Sequence, residues 1–193
     1  MSAQPTRPID KSTAARATVE QVIASCALVA VFGVLWRFGA SGKAAAAIVF
    51  VITLTALAII DVRTRTLPDV ITAPLLVVGV TVNAFHVFTA IAGALDGAAV
   101  GFGLLWGANQ LYRLRRNRHA IGGGDMKLAA AAGAWLGVAE IWQALAIASV
   151  CMFAWGLATR DRAGVSAQGA VPFGPIISFA CAVSLLFPLG NIR

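Results

Sequence analysis

Apolar residues in this chain occur in long runs rather than alternating with polar ones. Hydrophobic stretches at 22–36, 44–60, 70–91, 95–112, 141–158 and 171–189 are each long enough, or nearly so, for a helix across roughly 30 Å of hydrocarbon. A seventh, 126–138, is short and rich in Ala and Gly, which predicts a tilted, packed helix or one that crosses only in part. None shows the period-two pattern of a transmembrane barrel strand, and backbone in lipid must satisfy its own hydrogen bonds, so the segments are read as helices. The pattern predicts an all-α, polytopic integral membrane helix bundle of about six to seven transmembrane helices. Residues 1–18, with Pro5, Pro8 and scattered polar side chains, are expected to form a disordered tail. Residues 19–193 read as a single membrane-embedded domain, because no linker or internal repeat divides them.

Composition agrees: 59% of residues are hydrophobic, 12% are charged, and the mean hydropathy is +0.83. A soluble domain of this size has no use for so much apolar surface. The net charge of +7 invites a nucleic-acid reading, but its distribution argues against one. If all seven segments span, then Arg7, Lys11, Arg16, Arg63, Arg65, Arg113, Arg115, Arg116, Arg118, Lys127, Arg160 and Arg162 share one side. Only Arg37, Lys43 and Arg193 remain opposite. That asymmetry is the positive-inside pattern, and it predicts a multi-pass protein with a cytoplasmic N-terminus. The basic start followed by an apolar run resembles a signal peptide. However, the run ends in Trp36-Arg37-Phe38 without an Ala-x-Ala-like site, which favours an uncleaved anchor.

Cys26, Cys151 and Cys181 form no CxxC pair, so neither zinc nor a disulfide framework is indicated, and buried small hydrophobes are expected. His86, in the third apolar segment, and His119, in an arginine-rich loop, lack a partner at metal-ligand spacing. No metal and no cofactor are expected.

Two aspartates change the picture. The chain holds eight acidic residues, and two of them, Asp61 and Asp125, sit where apolar segments meet basic loops. A carboxylate is costly at the lip of a bilayer and is a functional candidate by default. Two at one depth suggest a dyad sharing a proton. Each has a constrained mount. Leu67-Pro68-Asp69 makes a short, stiff connector after Asp61, because Pro68 fixes its own φ and restricts Leu67. Gly122-Gly123-Gly124 permits backbone angles and close approaches that side chains would block, and it puts Asp125 in the first turn of the next helix. A phosphate cradle would need a preceding strand and a GK[ST] sequence, and neither is present. Val171-Pro172-Phe173-Gly174-Pro175 is expected to give an irregular opening to the last segment, with free backbone groups. Lys127 either snorkels to the inner surface or supports Asp125 electrostatically.

Taken together, the stretch from Asp61 to Leu67-Pro68-Asp69, Gly122-Gly123-Gly124-Asp125-Met126-Lys127-Leu128 and Val171-Pro172-Phe173-Gly174-Pro175 resemble the type IV prepilin peptidases, the bacterial GxGD membrane aspartic proteases. Three blocks in the right order, over roughly 44–189, carry the resemblance. It implies a bundle with Asp61 and Asp125 as catalytic pair on the cytoplasmic side and Gly122 and Gly124 as the fixed glycines. It also implies that Pro68, Asp69, Lys127, Pro172, Phe173, Gly174 and Pro175 bind substrate or support the site. The implied substrate is a prepilin or pseudopilin, with a basic leader and an apolar helix, held at the lipid bilayer and cut just after a leader glycine. Bifunctional members carry a cytoplasmic insert with paired CxxC motifs and N-methylate the new terminus with S-adenosylmethionine. That insert is missing between these blocks, so the chain resembles the short, peptidase-only forms that serve Flp-type tight-adherence pili. N-methylation is not expected from it.

Other readings compete. A proton- or ion-coupled solute carrier would use the aspartates as ion sites, but the sequence lacks an inverted repeat and the aspartates lie at the lip. A non-catalytic pilus or secretion scaffold would keep them as remnants. A presenilin-like protease shares GxGD but not the Leu-Pro block after the first aspartate. Oligomeric state and the resting position of the shared proton are not readable from the residues.

Overall fold

A computed structural model describes residues 11–116, 121–160 and 173–189. Among them are seven helices: α1 Lys11–Phe38, α2 Gly42–Thr64, α3 Asp69–Ala84, α4 Ile91–Arg116, α5 Gly123–Leu136, α6 Val138–Arg160 and α7 Phe173–Leu186. α1, α2, α4 and α6 contain stretches long and apolar enough to cross a membrane, while α3 and α7 are shorter apolar helices. Large apolar side chains such as Leu28, Val29, Phe32, Val150 and Phe153 face outward. Such exposure would be a liability in water and is ordinary against lipid.

α5 lies at the centre, packed on α3, α4, α6 and α7. Every residue from Leu128 to Leu136 is buried, as expected of a helix apolar on all sides. Its 14 residues extend roughly 21 Å at 1.5 Å per residue, too short to cross alone. Small residues let it sit deep. A methyl on Gly97 or Gly101 of α4 would strike the α5 backbone at Gly133 or Ala129, so these two helices touch almost backbone to backbone. Trp135 then fills the space toward α2 and α3. Its ring stacks on Phe50 with centroids 4.9 Å apart, and its Nε1–H donates to the Leu75 carbonyl at 2.8 Å.

Two expected boundaries move. α1 begins at Lys11, so residues 11–18 are helical rather than part of a disordered tail; alanines at 14, 15 and 17 favour that extension. Residues 1–10 lie outside the described residues. The third apolar segment ends as a helix at Ala84 instead of running on to residue 91. Buried Asn83 causes the stop. Its Oδ1 accepts from the N–H groups of Phe88 (3.0 Å) and Thr89 (3.1 Å), while Nδ2 donates to the Ala134 and Trp135 carbonyls at 2.7 and 3.0 Å. His86 therefore sits in a turn with φ 56°, not inside a helix. The cysteines differ too: only Cys181 is buried, Cys151 is half-buried and Cys26 is exposed.

Candidate active site

The helices alternate in direction, so the end of α2 and the starts of α3, α5 and α7 meet at one end of the bundle. α2 stops one turn after Asp61. Arg65 adopts the left-handed conformation (φ 54°, ψ 29°), and its N–H donates to the Asp61 carbonyl at 2.8 Å. Asp61 itself is buried, only 6% exposed. Its Oδ2 accepts the N–H of Gly174 at 3.0 Å. That donor is one of the first-turn amides of α7, which have no carbonyl within their own helix to bond. Glycine is required here by space: a Cβ at position 174 would lie 2.8 Å from Asp61 Oδ2.

Asp125 occupies the first turn of α5, as expected, with Gly122 as N-cap. It precedes the apolar run of α5 and lies outside the four membrane-crossing helices. Burial, with the charge of nearby Asp61 second, pushes its carboxyl up to about 6, against a smaller opposing effect of the Gly122 backbone. The glycines before it do not serve through unusual angles. Gly122 has φ −69°, and the described glycines with positive φ are Gly39 and Gly137. Gly124 is small because Leu67 packs on it: a Cβ there would come within 2.9 Å of the Leu67 Cβ. The connector after Asp61 is thereby pressed onto the helix that carries Asp125.

Pro68 caps α3 with extended geometry (φ −71°, ψ 129°), which lets Asp69 open the helix. Lys127 neither points to Asp125 nor stands alone. Its Nζ pairs with both carboxylate oxygens of Asp69, at 2.6 and 2.8 Å, and ties the first turn of α5 to that of α3. Phe173, Gly174 and Pro175 begin α7 in regular helix rather than in the irregular opening expected, while Val171 and Pro172 lie outside the described residues. His119 lies outside them as well.

Three residues stand outside the predicted site set. Arg65 and Leu67 are read from sequence only as a topology charge and a connector position. Asn109, buried in α4, accepts the Ile121 N–H at 3.1 Å and so anchors the approach to Gly122. A polar amide inside an apolar segment is itself a signal, because buried polar groups are held by partners. Among the described residues no group of three or more His, Cys, Asp or Glu side chains gathers as a metal site.

Fold and site thus define a multi-pass helical membrane protein with two aspartates near enough at one end for the charge of one to act on the other. The chain belongs to the type IV leader peptidase family, whose model matches residues 48–157 and so takes in both aspartates. A protein of Burkholderia pseudomallei (strain K96243) named prepilin leader peptidase/N-methyltransferase is 41% identical over 165 residues, covering 86% of this chain and 53% of its own. Proteins of the same name from Stutzerimonas stutzeri and Pseudomonas aeruginosa are 33% and 32% identical. They cover 92% and 80% of this chain, and 62% and 53% of their own length. The chain spans about half to three-fifths of the length of these curated relatives. No solved structure matches it.

Proposed function

We propose that this chain is an intramembrane aspartic endopeptidase that removes the basic leader from prepilins or prepilin-like proteins at the cytoplasmic face of the bacterial inner membrane. The observation that carries this reading is the convergence of Asp61 and Asp125, from helices far apart in sequence, at the same end of the bundle. The family supplies the substrate class.

Two carboxylates that act on each other's charge share a proton more readily than they both ionise. Asp125, pushed up to about 6, is the acid, and Asp61, whose Oδ2 accepts the Gly174 N–H, is the base. Asp61 takes a proton from water, and the resulting hydroxide adds to the scissile carbonyl as Asp125 hydrogen-bonds the carbonyl oxygen. The C–N bond then breaks, and the leaving amine departs protonated by the dyad. Gly174 orients Asp61, Gly124 admits Leu67, and the Lys127–Asp69 pair holds α3 against α5. Pro68 sets the connector, and Phe173 and Pro175 flank Gly174.

An apolar groove of about 310 Å³ lies between α1, α2 and α7, lined by Val22, Leu54, Ala58, Pro175 and Ile176 among others. Ala58 is one turn from Asp61 and Pro175 follows Gly174, so the groove gives a substrate helix a path to the dyad through lipid. The basic residues Arg16, Arg63, Arg65, Arg113 and Arg115 share the dyad end, which supports a cytoplasmic orientation for it.

Co-expression with a tagged prepilin tests the reading. Leader removal is expected with the wild type and is lost in both Asp61→Ala and Asp125→Ala. Processing by either single variant would refute the dyad. Mass analysis of the product addresses the second activity in the relatives' name: an unmethylated terminus is expected, because this chain holds no CxxC pair.

A further inference from the structure

At the end of the bundle away from the aspartates, the α1–α2 and α3–α4 connections, the α5–α6 junction and the end of α7 surround a cavity of about 230 Å³. Its wall carries Arg37, Lys43, Glu140 and Ser184, with Phe38 and Phe88 beside them. Two cations converge on one ring. The Arg37 guanidinium carbon is 5.5 Å and the Lys43 Nζ 5.7 Å from the centre of Phe38, and Lys43 is also 5.7 Å from the centre of Phe88. The ion pairs among the described residues, Arg63–Glu20 and Lys127–Asp69, involve none of the three charged groups in this wall.

Ser184 points the same way. It is fully buried and its Oγ has no hydrogen-bond partner. A helical serine ordinarily returns its hydroxyl to the carbonyl four residues back, as Ser149 does to Leu145 at 2.7 Å. A buried hydroxyl left unmatched is costly and requires a cause.

We infer that this cavity binds the headgroup of a zwitterionic membrane phospholipid. The phosphate sits between Arg37 and Lys43, relieving their mutual repulsion. The ammonium meets Glu140, and the Ser184 hydroxyl donates to a headgroup oxygen. A lone inorganic phosphate would leave Glu140 opposed to it. Exposed Trp36 and Phe187, close in sequence to the cavity wall, supply the apolar and interfacial surface that acyl chains require. This inference is independent of the peptidase reading.

Reconstitution of the full chain in vesicles of equal parts phosphatidylethanolamine and phosphatidylglycerol, extraction in mild detergent and native mass spectrometry test it. Phosphatidylethanolamine is expected to be retained over phosphatidylglycerol. The double variant Arg37→Gln/Lys43→Gln is expected to lose about tenfold of that retention, the scale of a charge-assisted contact removed. Glu140→Gln is expected to bring the two lipids to parity, and Ser184→Ala to weaken retention roughly two- to fivefold, as for one hydrogen bond. Unchanged retention in the double variant overturns the site. If that variant fails to fold, Glu140→Gln decides alone, and a preserved preference overturns the inference. Release of the bound lipid by inorganic phosphate would assign the site to a free anion instead and overturn the lipid.

Discussion

The two ends of this bundle each bury a polar side chain, and they treat it in opposite ways. Asn83 uses its whole amide: two N–H groups reach α5 carbonyls and its oxygen takes two backbone N–H groups. Asp61 accepts one cross-helix hydrogen bond, from Gly174, and its charge acts on a second carboxylate, Asp125. A buried polar group with every bond made is a fastener. One with acceptor capacity in reserve and a like charge beside it is set up for proton transfer. Sequence gives the two residues the same outward sign, a polar side chain in an apolar segment, and only the count of partners separates them.

The largest effect that can break this comparison comes from removing the acceptor charge and the fastener in parallel. Asp61→Asn is expected to lower leader cleavage by about 10²–10⁴-fold, the range for losing a general base, with thermal stability in detergent retained. Asn83→Ala is expected to do the reverse. It strands buried carbonyls of Ala134 and Trp135 and amides of Phe88 and Thr89, at about 1–3 kcal/mol for each group left unmatched, and the midpoint of unfolding drops. Cleavage per folded molecule is expected to stay near wild type. If Asn83→Ala lost cleavage without losing stability, the division into fastener and reagent would fail.

Gly174→Ala comes next. The added Cβ would sit 2.8 Å from Asp61 Oδ2, so the carboxylate or the first turn of α7 must shift. A displacement of about 1 Å at a catalytic group costs on the order of 10²-fold, and that is the loss expected in kcat, with little change in KM. Wild-type rates from this variant would show that the Gly174 contact does not position Asp61.

The pH profile sharpens the assignment within the dyad. Asp125 is protonated below about 6 and ionised above it, so as the general acid it gives a rate that falls as pH rises through that value. A rate that rises through the same range would exchange the roles of the two aspartates. The measurement is initial rate against pH on a detergent-solubilised prepilin.

How much of this was legible follows from distance along the chain. The helices, their membrane character and the place of Asp125 in a first turn were visible because local periodicity and glycine placement encode them. The reason for Gly124 was half visible: three glycines allow unusual angles or close approaches, and the structure uses the second, to make room for Leu67. The end of α3 was hidden because Asn83 finds its donors' partners on α5, 51 and 52 residues away. The Gly174–Asp61 bond joins residues 113 apart, and no local rule could supply it. For Lys127 the sequence offers the inner surface or its neighbour Asp125, but its partner Asp69 lies 58 residues back. What sequence hides here is consistently the pairing of groups across helices.

The smallest expected effect tests that last pairing. Lys127 and Asp69 are both largely exposed, with side chains 51% and 64% accessible. An exposed ion pair contributes about 0–1 kcal/mol and is screened by salt. Even so, this one links the first turn of the helix bearing Asp125 to the helix that follows the Leu67–Pro68 connector. Lys127→Gln is therefore expected to slow cleavage by no more than roughly fivefold at low salt, the rate equivalent of about 1 kcal/mol, with the gap closing as salt is added. A loss beyond about tenfold that persists in high salt would mean that Lys127 does more than tether. It would then belong with Asp61 among the groups held in reserve, and the tether would have to be sought in the Leu67–Gly124 contact alone.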